Sequence, residues 1–229
     1  MFFPIFDFAP YFAVIGDIIE SKKIKERRAV KEKLSSVLCE INKMYNEYIA
    51  SKFMITLGDE FQGLLKSGTY VMEIIEKIEQ GMYPIRIRFG IGVGRIVTDI
   101  NPELPLGADG PAYYNARKMI DEIKLSEKKK MESKANTKIM IDDNEDISQL
   151  INTIFALNTV LKSKWTDRQR EIIVTYLNFK GTQYEVAKKL GINQSNVQKA
   201  LSNSNFYTYQ QALDTVTIIL SNIRGKQDV

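Results

Sequence analysis

Apolar residues recur along this chain with changing periods, and the order of those periods predicts the fold. Tyr11-Phe12-Ala13-Val14-Ile15-Gly16-Asp17-Ile18-Ile19 is a continuous apolar run broken by one Gly-Asp and preceded by Pro10. Such a run suits a central strand buried on both faces. From Lys25 to about Ala50 the spacing changes to three and four, through Val30, Leu34, Leu38, Ile41, Tyr45 and Tyr48, which predicts a long amphipathic helix. Cys39 falls within it and reads as a small packing residue. Met54 to Leu65 predicts two short strands folded back on each other, with Gly58-Asp59-Glu60 at the tip. A second helix follows from Tyr70 to Gln80, ended by Gly81 and Pro84.

Ile85-Arg86-Ile87-Arg88 then alternates, giving one buried and one wet face, and Gly90, Gly92 and Gly94 leave one face bare. A bare strand face admits either a closely packed helix or a ligand. The order strand, helix, hairpin, helix, strand is that of a ferredoxin-like βαββαβ unit, an α+β fold with two helices on one face. Pro111 opens a third helix, which runs past Tyr113-Tyr114 and Arg117-Lys118 into a lysine-rich segment at 124–134. Thr137 to Asp142 reads as a closing edge strand, and the acidic stretch Asp142 to Asp146 as a linker. Residues 1–145 and 146–229 are therefore expected to form two domains, the second all-α.

Composition narrows the chemistry. The chain has no histidine and one cysteine, which removes Ser-His and Cys-His nucleophiles, imidazole-bound zinc and any internal disulfide. A bound metal would be a hard cation on oxygen ligands, Mg2+ or Mn2+. Met1 to Ile15 lacks a basic leader and is interrupted by Pro4, Asp7 and Pro10, so neither a signal peptide nor a membrane span is expected, and a cytoplasmic location is. In the βαββαβ arrangement the end of the first strand and the hairpin tip lie side by side, so Asp17 and Asp59 can face each other as metal ligands. Equally, Asp17 can be a solvated strand end and Gly58-Asp59 a plain turn.

An ordered set of motifs carries a resemblance. A strand ends in Asp17-Ile18, a hairpin holds Gly58-Asp59, a strand reads Arg88-x-Gly90-Ile91-x-x-Gly94, and a helix opens with Gly110-x-Ala112-x-x-x-Ala116-x-x-Met119. This resembles the class III nucleotide cyclase catalytic fold, whose relatives include GGDEF domains and polymerase palms. Together with its tail, the chain looks like the SatD family of bacterial proteins. The resemblance implies that Asp17 and Asp59, with the Ile18 carbonyl, hold divalent ions against a nucleoside triphosphate, and that Gly58 and Glu60 lie near its phosphates. It also exposes departures. The purine-reading lysine is replaced by Ile55 and its assisting aspartate by Gly107, with Asp109 close by. The transition-state asparagine corresponds to Tyr114 and the arginine to Lys118, which loses the planar fork, although Arg117 adjoins it. Lys118 and Arg117 are then the candidate catalytic residues, and Asp109 and Tyr114 candidate nucleotide contacts.

The tail carries its own signal. Ten Lys/Arg stand against five Asp/Glu from Leu161 onward, while the preceding chain is near balance. Thr166-Asp167-Arg168-Gln169 and Thr182-Gln183-Tyr184-Glu185 read as capping boxes. Counted from Gln183, Ala187, Gly191 and Val197 occupy the small, turn and locking positions of a helix-turn-helix, resembling the sigma-factor-like class. Its exposed Gln194, Ser195, Asn196, Gln198 and Lys199 would reach DNA bases and phosphates. The helix from Gln210 to Ile223 reads as a packing or dimerisation element, and a homodimer is expected. The preferred expectation is a DNA-binding regulator whose first domain binds a nucleoside triphosphate or cyclic nucleotide. The competing one is an active Mg2+- or Mn2+-dependent cyclase or nucleotidyltransferase with a DNA-targeting tail.

Overall fold

The computed structural model describes residues 3–129, 135–179 and 182–226, so part of the predicted lysine-rich segment lies outside the described residues. The chain divides into two compact units, one of residues 1–156 with 216–229 and one of residues 157–215.

The first unit is built on strands β2 (Tyr11–Ile18), β3 (Ile49–Ile55), β4 (Glu60–Leu65), β5 (Ile87–Gly94) and β6 (Thr137–Ile141). They form one sheet in the order β3-β4-β2-β5-β6, with β6 parallel to β5 and the other neighbours antiparallel. Helices α1 (Arg27–Met44) and α2 (Val71–Met82) alternate with the strands as expected, so the βαββαβ order holds and β6 closes an edge. Phe12 to Ile15 are fully or almost fully buried, as a strand covered on both faces requires. Helix α3 (Pro111–Lys128) covers the face formed by Ala13, Ile15 and Leu64 with its own Ala112, Ala116 and Ile120.

The glycine face of β5 is answered by this packing. A Cβ on Gly90 would overlap the Ala116 carbonyl oxygen, and one on Gly92 the Ala112 carbonyl oxygen. The bare face therefore admits a helix, and no ligand space remains there. Gly81 is another case of close approach. It lies inside α2 instead of ending it, where a Cβ would come within 2.8 Å of a Val37 methyl on α1. Helix α1 stops at Met44, six residues before the expected end, because Ile49 and Ala50 already belong to β3. Cys39 is exposed, contrary to its reading as a packing residue, and lines a groove of about 930 Å³ between α1 and β3.

The linker expected at Asp142 to Asp146 is short. Asp143 adopts a left-handed φ of 51°, and α4 (Glu145–Ser163) begins at once, with Glu145 and Asp146 in its first turn where acidic side chains favour the helix dipole. The expected boundary at 145/146 thus falls at the start of this helix, while the compact units divide after Ala156. Two short strands, β1 (Ile5–Phe6) and β7 (Arg224–Gly225), pair in parallel and join the two ends of the chain within the first unit.

The second unit holds α5 (Asp167–Asn178), α6 (Gln183–Leu190) and α7 (Gln194–Asn203), and includes part of α4 and of α8 (Phe206–Ser221). The Thr166 capping box forms in full with Gln169. The Thr182 box does not, because its hydroxyl donates to the Glu185 carboxylate instead of accepting a backbone N–H. Trp165 donates its indole N–H to the Ser204 carbonyl at 2.8 Å and stands edge-on to Tyr209, with ring centres 5.0 Å apart. Helix α8 starts at Phe206, four residues earlier than expected, since Phe206 and Tyr209 are already buried. Among the described residues, no helix is long and apolar enough to cross a membrane.

Candidate functional site

The hairpin tip and the end of β2 do lie side by side. Thr56 donates to the Glu60 carbonyl, Gly58 takes a φ of 65°, and the Ile18 N–H reaches the Asp59 carbonyl at 3.3 Å. Backbone geometry thus brings together the pair that the sequence nominated. The side chains do something else.

Asp17 is buried, and its cross-strand neighbours are Glu60 on β4 and Arg88 on β5. One carboxylate oxygen accepts from the Arg88 guanidinium and the other faces the Lys124 ammonium at 2.8 Å. Arg88 turns its remaining donors to Glu127, with Nε at 3.0 Å and Nη2 at 2.6 Å. Burial opposes the charge on Arg88, but Glu127 and Asp17 outweigh it and hold its pKa above the ordinary arginine value. Arg88 is therefore no wet-face residue, as the alternation suggested. Arg86 is exposed, whereas Arg88 is buried by its partners.

These four groups are electrically closed. Asp17 and Glu127 supply two negative charges, and Arg88 and Lys124 two positive ones. A second closed pair sits beside them, Glu60 with Arg117 on α3. The Glu60 contact raises the Arg117 pKa against burial, and the fields of Asp121 and Asp17 add to it. A buried carboxylate needs a cation, and here the protein supplies it. A hard divalent ion needs several free oxygen donors at one point. Both Asp17 oxygens already carry protein cations, Glu60 is engaged, and no group of three or more potential metal ligands occurs among the described residues. The donors as arranged do not fit Mg2+ or Mn2+. Ile18, the expected carbonyl ligand, is paired with Ile87 across β2 and β5.

The remaining candidates lie on α3 or just before it, except Gly58 at the hairpin tip. Asp109 accepts from the Tyr114 hydroxyl at 2.7 Å, and this bond raises the tyrosine pKa. Asp109 also receives the Gly110 N–H at 3.0 Å, which sets the entry to the helix. Lys118 is exposed and, with Tyr114, Arg117 and Asp121, borders a shallow depression of about 450 Å³. Gly58 lies at the exposed hairpin tip with open space around its α-carbon.

Arg88, Lys124 and Glu127 were not among the nominated residues. Their signal was present, because an aspartate and an arginine in adjacent buried strands each demand an opposite charge. Lys124 lies seven residues after Arg117, on the same side of α3.

In the second unit, Gly191 takes the left-handed φ of 62° that a helix-ending turn requires, and Ile192 donates to the Ala187 carbonyl at 3.0 Å. Val186, Val197 and Leu201 are fully buried where α5, α6 and α7 meet. Gln194, Ser195, Asn196, Gln198 and Lys199 are all exposed. Asn193 starts α7 without a side-chain cap.

The first unit is an α+β domain of βαββαβ order with a third helix on its glycine-bearing face. The chain belongs to the SatD family, whose family model matches residues 11–220. No curated protein matches the sequence. Among solved structures, the chain is similar to the guanylyl cyclase domain of the RhoGC fusion protein from the aquatic fungus Blastocladiella emersonii, with 16% identity over 49% of this chain and 73% of the other and a TM-score of 0.34. The adenylyl cyclase CyaB from P. aeruginosa gives 15% identity over 49% and 71%, with a TM-score of 0.37. A bacterial light-regulated adenylyl cyclase gives 12% identity over 69% and 81%, with a TM-score of 0.42.

Proposed function

We propose that this SatD-family protein is a DNA-binding regulator whose palm-type unit binds a nucleoside phosphate without turning it over. The observation that carries the first part is the exposure of all five polar side chains at the start of α7, on a helix anchored by fully buried Val197 and Leu201. In this reading α6, Gly191 and α7 act as a helix-turn-helix. Gln194, Asn196 and Gln198 offer paired donors and acceptors to base edges, while Ser195 and Lys199 hold phosphates. A homodimer would place two such helices on successive turns of one DNA face.

For the palm-type unit, Tyr114 offers a ring and Arg117 and Lys118 offer cations around the α3 depression, suited to a base and its phosphates. The occupied carboxylate of Asp17 argues against metal-assisted turnover there.

The test is fluorescence anisotropy of the full chain on fragmented duplex DNA. Binding should weaken in Gln198→Ala and Lys199→Ala, and equal binding by both variants would overturn the reading. Incubation with each nucleoside triphosphate and Mn2+ should give no product, and a product that disappears in Asp59→Ala would overturn the non-catalytic assignment.

A further inference from the structure

We propose that Lys124 is a tethered cation that fills the place of a divalent ion beside Asp17, so that this sheet end excludes metal. The proposal rests on the palm-type unit alone and is independent of the DNA reading.

The argument is one of charge and donors. Asp17 has side-chain exposure of only 9%, so its charge must be matched locally. Arg88 supplies half of the answer and is fixed, because it is itself buried and is held on its far side by two hydrogen bonds to Glu127. Lys124 supplies the other half. It approaches the second Asp17 oxygen at 2.8 Å and keeps 38% of its side chain exposed. With Lys124 in place the four charges sum to zero, and a divalent ion would leave two positive charges in excess. Without it, one Asp17 oxygen loses its cation, next to a hairpin tip whose Asp59 carbonyl accepts the Ile18 N–H. The ammonium is thus the more exposed, removable one of the two cations on Asp17. Helix α3, which lies on the sheet through Gly90 and Gly92, delivers it at a fixed position.

Mn2+ itself is the probe, followed by loss of its free electron paramagnetic resonance signal on titration into the full chain. Wild type should leave the signal unchanged. Lys124→Ala should take up about one Mn2+ per chain, at least about tenfold tighter than wild type. Lys124→Ala with Asp17→Asn should lose that uptake, and Lys124→Arg should exclude the ion as wild type does. Circular dichroism verifies folding, and Lys124→Gln replaces the alanine variant if the latter does not fold. A thermal midpoint raised by Mn2+ in the charge-removed variant but not in wild type gives a second readout. Uptake by wild type that Asp17→Asn abolishes would overturn the proposal, as would charge-removed variants binding no tighter than wild type.

Discussion

Gly92 of β5 lies directly beneath the carbonyl oxygen of Ala112, at the start of α3. The space that any other residue's Cβ would fill is taken by helix backbone, which cannot swing aside as a side chain can. Gly92→Ala should therefore lift α3 from the sheet and cost about 1–3 kcal/mol, as overpacking of a close-packed core does. Chemical denaturation of the variant measures it. Gly58→Ala is the control, where only the left-handed φ opposes the methyl group and a loss of about 1–2 kcal/mol is expected.

Removing Arg88 should be worse than removing any exposed arginine. Arg88→Met leaves Asp17 and Glu127 facing each other with Lys124 as the sole remaining cation of the four. Breaking a buried pair from one side costs about 3–5 kcal/mol. Adding Asp17→Asn to Arg88→Met should recover part of that loss, because the uncompensated charge is gone. A double variant no more stable than the single one would show that the network is not the source of the penalty.

Tyr113 gives the opposite sign. Its hydroxyl is buried and finds no hydrogen-bond partner among the described residues. Tyr113→Phe should raise stability by about 1 kcal/mol, the scale of an unsatisfied buried polar group. Burial also pushes the Tyr113 pKa above its ordinary value. The folded pKa is raised, so the neutral phenol's contribution is fully present below the unfolded value of about 10 and is lost as pH rises towards the folded one. The phenylalanine variant should lose less stability than wild type above that pH, and equilibrium unfolding across the alkaline range checks it.

At α7, Lys199→Ala should reduce the dependence of DNA affinity on salt as well as the affinity itself. Loss of one phosphate contact lowers the slope of log affinity against log salt by about 1. Gln198→Ala should leave that slope unchanged and alter preference between sequences. Anisotropy titrations at several salt concentrations separate the two behaviours.

Much of the first unit could be read from the chain because each element announces itself locally. The β2 run, the hairpin at Gly58 and the glycine repeat of β5 all lie where their patterns put them. What escaped was what distance in sequence conceals. Asp17 meets Lys124 and Arg88 meets Glu127 only because α3 folds across the sheet, and no local period encodes those pairings. Arg88 alternates with apolar neighbours as a solvated residue would, and its burial follows from partners on two other elements. Helix α4 was obscured because Glu145 and Asp146 suit a linker and a first helical turn equally well. The β1–β7 pair is too short to leave any pattern.

Trp165 is the chain's single tryptophan, and its indole is held by Ser204 and Tyr209 within the second unit. The intact protein therefore carries its own optical label on one of its two units. Tryptophan emission follows the helices around α5 and α7, whereas far-ultraviolet circular dichroism follows the whole chain. Comparing the two signals during unfolding shows, without any added dye, whether the sheet-bearing unit and the helical unit melt as one body or as two.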